Sequence, residues 1–341
     1  MSAPAQSLTG MQHAGRMMGV VEAATKIRAG QCLSIAGDEQ LLRQLPAGRW
    51  VGGTIPYFMG EDGGQTTRDR LFVAELPVIG STPSIRMYDE MGLPQVCVDG
   101  PENGFTLIVI PAFSSVHTSF AREAPQYEEM FMKPLIGWVS GIHLDDIGHA
   151  KPLVVNGETL EFSAAHAVAM HVPLPADHMA HVDIINVCTQ GNGARLRFPD
   201  SGFSADQCTV DGRPERLAAY VERMKIDTRL PLVADYSGAL VNVAIKGMDK
   251  DSGVVDFYAP IFNDVEYRFA APVDDYVQAF ETQLQSRQQQ SAFACNCVLN
   301  YLYLGLEGKK VSNMLGPMTF GEIAYQLLNQ TLVYLWVERH S

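Results

Sequence analysis

Apolar positions along this chain recur with two periods, and the switches between them divide it into elements. Met17, Val20, Val21 and Ala24 fall at helical spacing with Gly30 as a stop, which predicts a helix over 14–29. A strand at 31–35, a short helix at 38–44 and a strand at 49–58 follow. The Gly-Glu-Asp-Gly-Gly run at 60–64 is a turn, and 68–76 returns as a strand. Residues 105–112 form a continuous apolar strand. The helix predicted over 115–132 is interrupted by Pro125, because proline removes a backbone donor. The run 135–142 carries Gly137 and Gly141 inside it, a sign of close backbone approach. Asn156-Gly157 between apolar flanks marks a hairpin, and 168–172 and 182–188 supply further strands.

Turn signals then crowd together over 189–213, in Gln190-Gly191-Asn192-Gly193, Pro199-Asp200-Ser201-Gly202 and Asp211-Gly212-Arg213. This places a domain boundary near 195–205 and divides the chain into 1–200 and 201–341. A helix opened by Pro214 carries Leu217, Tyr220, Val221 and Met224 on one stripe. A meander over 240–269 leads to a second helix on Val273, Tyr276, Val277, Phe280 and Leu284, and then to a strand at 291–297. The fold class is α/β or α+β, with two mixed-sheet domains and flanking helices. No solenoid period of 20 to 50 residues is visible. A short likeness among Val51-Gly52-Gly53-Thr54, Leu135-Ile136-Gly137-Trp138 and Leu315-Gly316-Pro317-Met318 leaves duplication open.

Composition narrows the function classes. Of 341 residues 47% are hydrophobic and 18% charged, which fits a folded chain with a real core. A net charge of -13 with no cluster of Lys and Arg excludes a phosphate-rich partner, so no nucleic acid is expected. The longest apolar runs fall short of the roughly 20 residues of a spanning helix, and the start of the chain lacks a signal-like apolar stretch. The expectation is a soluble, cytoplasmic protein with no membrane insertion and reduced cysteines.

Candidate chemistry concentrates near the end. Cys295, Asn296 and Cys297 close a strand, and a helix starting at Val298 would put both thiols at its N-terminal end, where backbone amides favour an anion. Buried, space-filling thiols are the plainer alternative. Glu322 either caps a helix starting at Ile323 or receives an amine and fixes a neighbouring amide. His178 and His181, beside Asp177 and Asp183, are weak metal candidates without zinc-like spacing. Asp249-Lys250-Asp251 lacks the acid that would complete a calcium loop, since Pro260 stands at that position.

The Cys-Asn strand end, the Gly321-Glu322-Ile323 turn and the Asn329-Gln330-Thr331-Leu332-Val333 run resemble the FIST sensory domain. Val51-Gly52-Gly53-Thr54, 134–138 and Val155-Asn156-Gly157-Glu158 are similar to marks of that family's first half, so the two domains would be FIST-N-like and FIST-C-like. After Cys297 the chain departs from the family, with Val298 and Leu299 where an arginine-bearing pattern is usual. The resemblance implies a small-molecule sensor in intracellular signal transduction that acts through a signalling protein partner. It also brings in haem as a cofactor, since some members sense gas through it. The expected site gathers Gly52, Gly53, Thr54, Cys295, Asn296, Cys297 and Glu322 around an amine- or carboxylate-bearing metabolite. An enzyme with a nucleophile at Cys295 or Cys297 is the alternative.

Overall fold

One arrangement of six strands, used three times, builds most of the molecule in the computed structural model, which describes residues 15–236, 238–249, 251–285, 291–311 and 315–340. The polar start at 2–12, Lys250 and Ser341 lie outside the described residues.

The first unit runs β1 (Gly15–Met18), α1 (Val20–Arg28), β2 (Leu33–Gly37), α2 (Glu39–Leu42), β3 (Trp50–Thr54), β4 (Tyr57–Gly60), β5 (Gly63–Thr66) and β6 (Leu71–Glu75). The second repeats the order with β7 (Ser84–Tyr88), β8 (Gly104–Pro111), α3 (Ser115–Glu123), β9 (Leu135–Ser140), β10 (Val154–Asn156), β11 (Glu161–Ser163) and β12 (Ala167–Pro173). The third begins with β13 (His178–Ile185). After an insertion it resumes with β14 (Phe293–Cys297), α4 (Val298–Tyr303), β15 (Gly316–Thr319), β16 (Glu322–Ala324), β17 (Gln326–Leu328) and β18 (Leu332–Arg339).

Each unit forms a sheet from its first, sixth, second and third strands, and its fourth and fifth strands leave as a hairpin for another unit's sheet. The orders are β1-β6-β2-β3-β10-β11, β7-β12-β8-β9-β16-β17 and β13-β18-β14-β15-β4-β5. In every sheet the second and third strands are parallel and joined through a helix, and every other pairing is antiparallel. The exchange is cyclic: the first unit's hairpin completes the third sheet, the third completes the second, and the second completes the first. The chain is thus a mixed-sheet α and β protein with few helices, and its repetition is threefold.

Strand alternation explains the layers. Ala36, Val51, Leu107, Val109, Val168, Met170, Cys295 and Val333 turn into one shared core between the sheets. Ile35, Trp50 and Val73 turn outward under α1 and α2, and Ile108, Ile110 and Ala169 turn outward under α3. The insertion between β13 and β14 carries a six-stranded and a three-stranded antiparallel sheet and the helices Leu217–Met224 and Tyr276–Gln285. It packs on the outer side of the second sheet through Leu196, Leu232 and Phe257.

Several predicted elements change identity. Residues 15–18, placed in the first helix, are an edge strand paired with β6, because Gly19 and the β6 register take the chain out of helical geometry. The strand predicted over 49–58 is two strands in different sheets, separated at Pro56, which has no N–H for a ladder. Pro214 lies in the strand Arg213–Arg216 and the helix opens three residues later, at Leu217. Glu322 starts a strand, so it caps no helix. The third sheet draws strands from both sides of residue 200.

Candidate functional site

At the end of each unit's second strand the chain enters a helix, and this junction is treated differently in the three units. Asp38 accepts the Gln40 amide at 2.9 Å and caps α2, and Ser114 accepts the His117 amide at 3.1 Å and caps α3. In the third unit Cys297 holds the cap position and its side chain makes no cap bond. The preceding side chain takes over. Asn296 Oδ1 accepts the Cys297 amide at 2.7 Å and the Asn300 amide nitrogen at 2.8 Å, tying β14 to the first turn of α4.

Opposite this junction stands Glu322, fully buried on β16. Its Oε2 accepts the Thr331 amide at 3.1 Å and the Thr331 hydroxyl at 2.8 Å, which locks the donated hairpin to the start of β18. The Cys297 thiol and Thr319 hydroxyl lie beside the carboxyl. Burial pushes that carboxyl up to about 8 against the opposing pull of the Thr331 bonds. Thr319 Oγ1 donates within this cluster to the carbonyl of Asn296 or Gly321, at 3.2 and 3.0 Å.

Both thiols of the pair are raised well above their ordinary range, first by burial and then by the Glu322 charge. They pack in different places. Cys295 faces the central core and donates to the Gly137 carbonyl of β9 at 3.4 Å, whereas Cys297 packs outward with Ala244 and Leu299. A nucleophilic cysteine needs an accessible, depressed thiol. These two are sealed and protonated.

Five buried polar atoms in this cluster have no hydrogen-bond partner: Asn296 Nδ2, Asn300 Oδ1, Glu322 Oε1, Asn329 Oδ1 and Gln330 Oε1. Buried polar atoms are ordinarily paired, so such a concentration in one cluster is unusual. Gln330 is also held at φ 53°, the left-handed region that a residue with a side chain adopts only under constraint.

A cavity of about 370 Å³ opens directly onto two of these residues, Asn300 and Gln330. Its roof comes from the insertion, through Cys188, the 227–231 loop and the 272–274 segment leading to Tyr276, and its floor is α4 and the start of β18. Leu230, Pro231, Pro272, Val273 and Leu304 supply apolar wall, and Asp227, Arg229 and Asp274 supply charge. The Tyr276 hydroxyl bridges the cavity's two sides, reaching the Cys188 thiol at 3.5 Å and the Gln330 carbonyl at 3.4 Å. Further ties run from Asn242 to the Asn329 carbonyl at 3.1 Å and from Gln330 Nε2 to the Arg229 carbonyl at 3.0 Å.

Of the residues singled out in the sequence, Asn296, Cys297 and Glu322 meet in this cluster, behind the cavity floor. Gly52, Gly53 and Thr54 lie on β3 of the first sheet. Thr54 accepts the Leu153 amide at 2.9 Å and lines a separate cleft of about 160 Å³ with Asp38, Arg68 and His143. Asn300, Tyr276, Arg229 and Asp274 were not singled out as site residues. Tyr276 reads as one more apolar position on a helix, and nothing local marks the loop residues.

His178 Nδ1 is paired with Asp177 at 2.8 Å, whereas His181 Nε2 lies 3.3 Å from Glu338 without a hydrogen bond to it, and the His181 ring stacks on Trp336 at 4.0 Å. Among the described residues no group of three or more His, Cys, Asp or Glu side chains is placed to hold a metal. Among the described residues no histidine or methionine lines the cavity, and its one cysteine, Cys188, is engaged with Tyr276. No helix among the described residues is long and apolar enough to cross a membrane.

Comparison with the curated proteins gives no match. The sequence model of a family of unknown function (DUF6976) matches residues 18–338, a span that takes in all three units and the insertion, and the chain belongs to that family.

Proposed function

We propose that this protein is a small-molecule sensor whose ligand occupies the cavity between the insertion and the third unit, and that it signals through a protein partner. The observation that carries this reading is an apolar-walled cavity between two parts of the chain that is also lined by the polar residues Asn300, Gln330, Tyr276, Arg229 and Asp274. That combination is the usual makeup of a small-molecule site, where apolar surface gives affinity and a few polar groups fix orientation. The motifs that resemble the FIST sensory domain support the same class of function.

A ligand here would touch both the insertion loops and the floor of the third unit, so its binding energy would hold the insertion against the repeat. This is a physical route from occupancy to a change that a partner reads. A thermal-shift screen of metabolites tests the proposal. A ligand at 100 times its Kd stabilises by about 2.7 kcal/mol. Val273→Trp, which fills the cavity from a half-buried loop position, is expected to abolish that stabilisation while leaving the unliganded melting point close to wild type. Stabilisation that survives Val273→Trp would move the site elsewhere, and the absence of any stabilising compound would overturn the proposal.

A further inference from the structure

Two loops of the second unit, 89–102 ahead of β8 and 124–133 ahead of β9, meet at the N-terminal ends of those parallel strands. They are tied to each other from inside. The Cys97 thiol donates to the Met130 sulfur at 3.7 Å. The buried Lys133 ammonium donates to the Gly100 carbonyl at 3.1 Å and pairs with Glu102 at 3.2 Å and Glu129 at 2.7 Å. Leu93, Val96, Tyr127 and Met130 turn inward to the core on the α3 side of the sheet.

Other apolar side chains of the same loops face water. Met91 is 88% exposed, Met132 82% and Phe131 62%, with Val98 at 37%. Single exposed apolar residues are ordinary, but several on adjoining loops with a polar rim mark an interaction surface. The rim is acidic. The two loops carry six acidic residues and one lysine, a net charge of -5 out of -13 for the whole chain. Asp89, Glu90 and Glu128 are exposed beside the apolar residues. The Tyr127 hydroxyl, raised first by burial, also feels the Glu90 charge, which puts the first loop's acid close to the second loop. Lys133 is already shared by Glu102 and Glu129, so the charge of Glu90 and Glu128 is not matched within the loops.

We infer that this face docks a basic, amphipathic segment of a partner protein. Its apolar side chains cover Met91, Phe131 and Met132, and its Lys and Arg side chains lie against Asp89, Glu90 and Glu128. Methionine suits such a surface because its unbranched, polarizable side chain repacks around different partners. The charge selects among occupants. Nucleic acid and anionic lipid are repelled, and a second copy of the chain would set two faces of the same sign together. None of these residues lines the cavity between the insertion and the third unit. The inference therefore gives the protein partner of the proposed function a surface and does not depend on the cavity.

Three labelled peptides test it by fluorescence anisotropy with the full chain at physiological ionic strength: an amphipathic leucine–lysine peptide, its leucine–glutamate counterpart, and a serine–lysine peptide of equal charge. The leucine–lysine peptide is expected to bind at least about tenfold tighter than either of the others, since it alone supplies both apolar cover and complementary charge. Met91→Ser combined with Met132→Ser, at two exposed positions, should weaken it about tenfold or more, and so should Glu90→Lys combined with Glu128→Lys. Glu61→Lys combined with Asp62→Lys, an equal change of charge at exposed positions on the turn between β4 and β5, should leave it close to wild type. Equal weakening by that control pair would reduce the binding to general charge attraction and overturn the inference. So would tight binding of the leucine–glutamate peptide, or no saturable binding of the leucine–lysine peptide. Sedimentation that finds a wild-type dimer which the Met91→Ser and Met132→Ser pair makes monomeric would assign the face to a second copy and overturn it as well. Val273→Trp should leave peptide binding unchanged, so failure here and failure of the cavity reading are told apart.

Discussion

Among the described residues Glu322 has no charged partner, and what it does depends on its protonation. The sequence marks it as an acid between a glycine and an isoleucine, open to fixing an amide or capping a helix. It fixes the Thr331 amide. Because its folded value of about 8 lies above the ordinary 4.5, the protonated form favours the folded state. Its contribution to stability is full below about pH 4.5 and is lost as pH rises through about 8. Glu322→Gln keeps an acceptor for Thr331 without the titration, so the variant should overtake wild type in stability above pH 8, by on the order of a few kcal/mol. The difference should shrink to near zero below pH 4.5. Urea unfolding of both proteins at pH 5 and pH 9 measures this, and equal pH dependence would show that Glu322 is not the titrating group.

The strand–helix–strand element explains the short likeness seen in the sequence. Gly52, Gly137 and Gly316 stand at equivalent places on β3, β9 and β15, each beside its parallel neighbour. A Cβ at these positions would run into the carbonyl of Ile35, Ile108 or Ala294 respectively. The glycines therefore allow two parallel strands to approach, and a backbone carbonyl cannot move aside as a flexible side chain can. Gly137→Ala is expected to cost about 2–4 kcal/mol in chemical denaturation. A Gly137→Ala protein as stable as wild type would mean that the second sheet has slack that its register does not show. The likeness was legible because the glycine is a local requirement. The antiparallel neighbours were not, since β12 and β6 return from distant sequence.

For the whole molecule, the cyclic exchange of hairpins decides how it comes apart. Each sheet is finished by two strands from another unit, so opening any one unit also strips the two outer strands from one of the other two sheets. Ties such as the Thr66 hydroxyl to Glu307 at 2.8 Å reinforce the joint between the first and third units. The three tryptophans report separately, with Trp50 on β3, Trp138 on β9 and Trp336 on β18. Proteins retaining one tryptophan each, with the others replaced by phenylalanine, should unfold over the same urea range as judged against circular dichroism for that same protein. A fluorescence transition well separated from the circular dichroism of its own variant would indicate that the units melt independently.

The sequence by itself determined the mixed α and β class and the run of most strands and turns, and it marked Asn296, Cys297 and Glu322 as candidates, because periodicity, turn residues and composition are properties of neighbouring positions. Only the tertiary structure decided that the repetition is threefold, that Cys295 and Cys297 face different compartments, and that Gly52, Gly53 and Thr54 belong to another sheet. It alone assembled the cavity as well. Asn300 and Gln330 lie on the repeat and Asp274 and Tyr276 on the insertion, and a site shared between them exists only once β14 and β18 are paired and the insertion has closed over their ends.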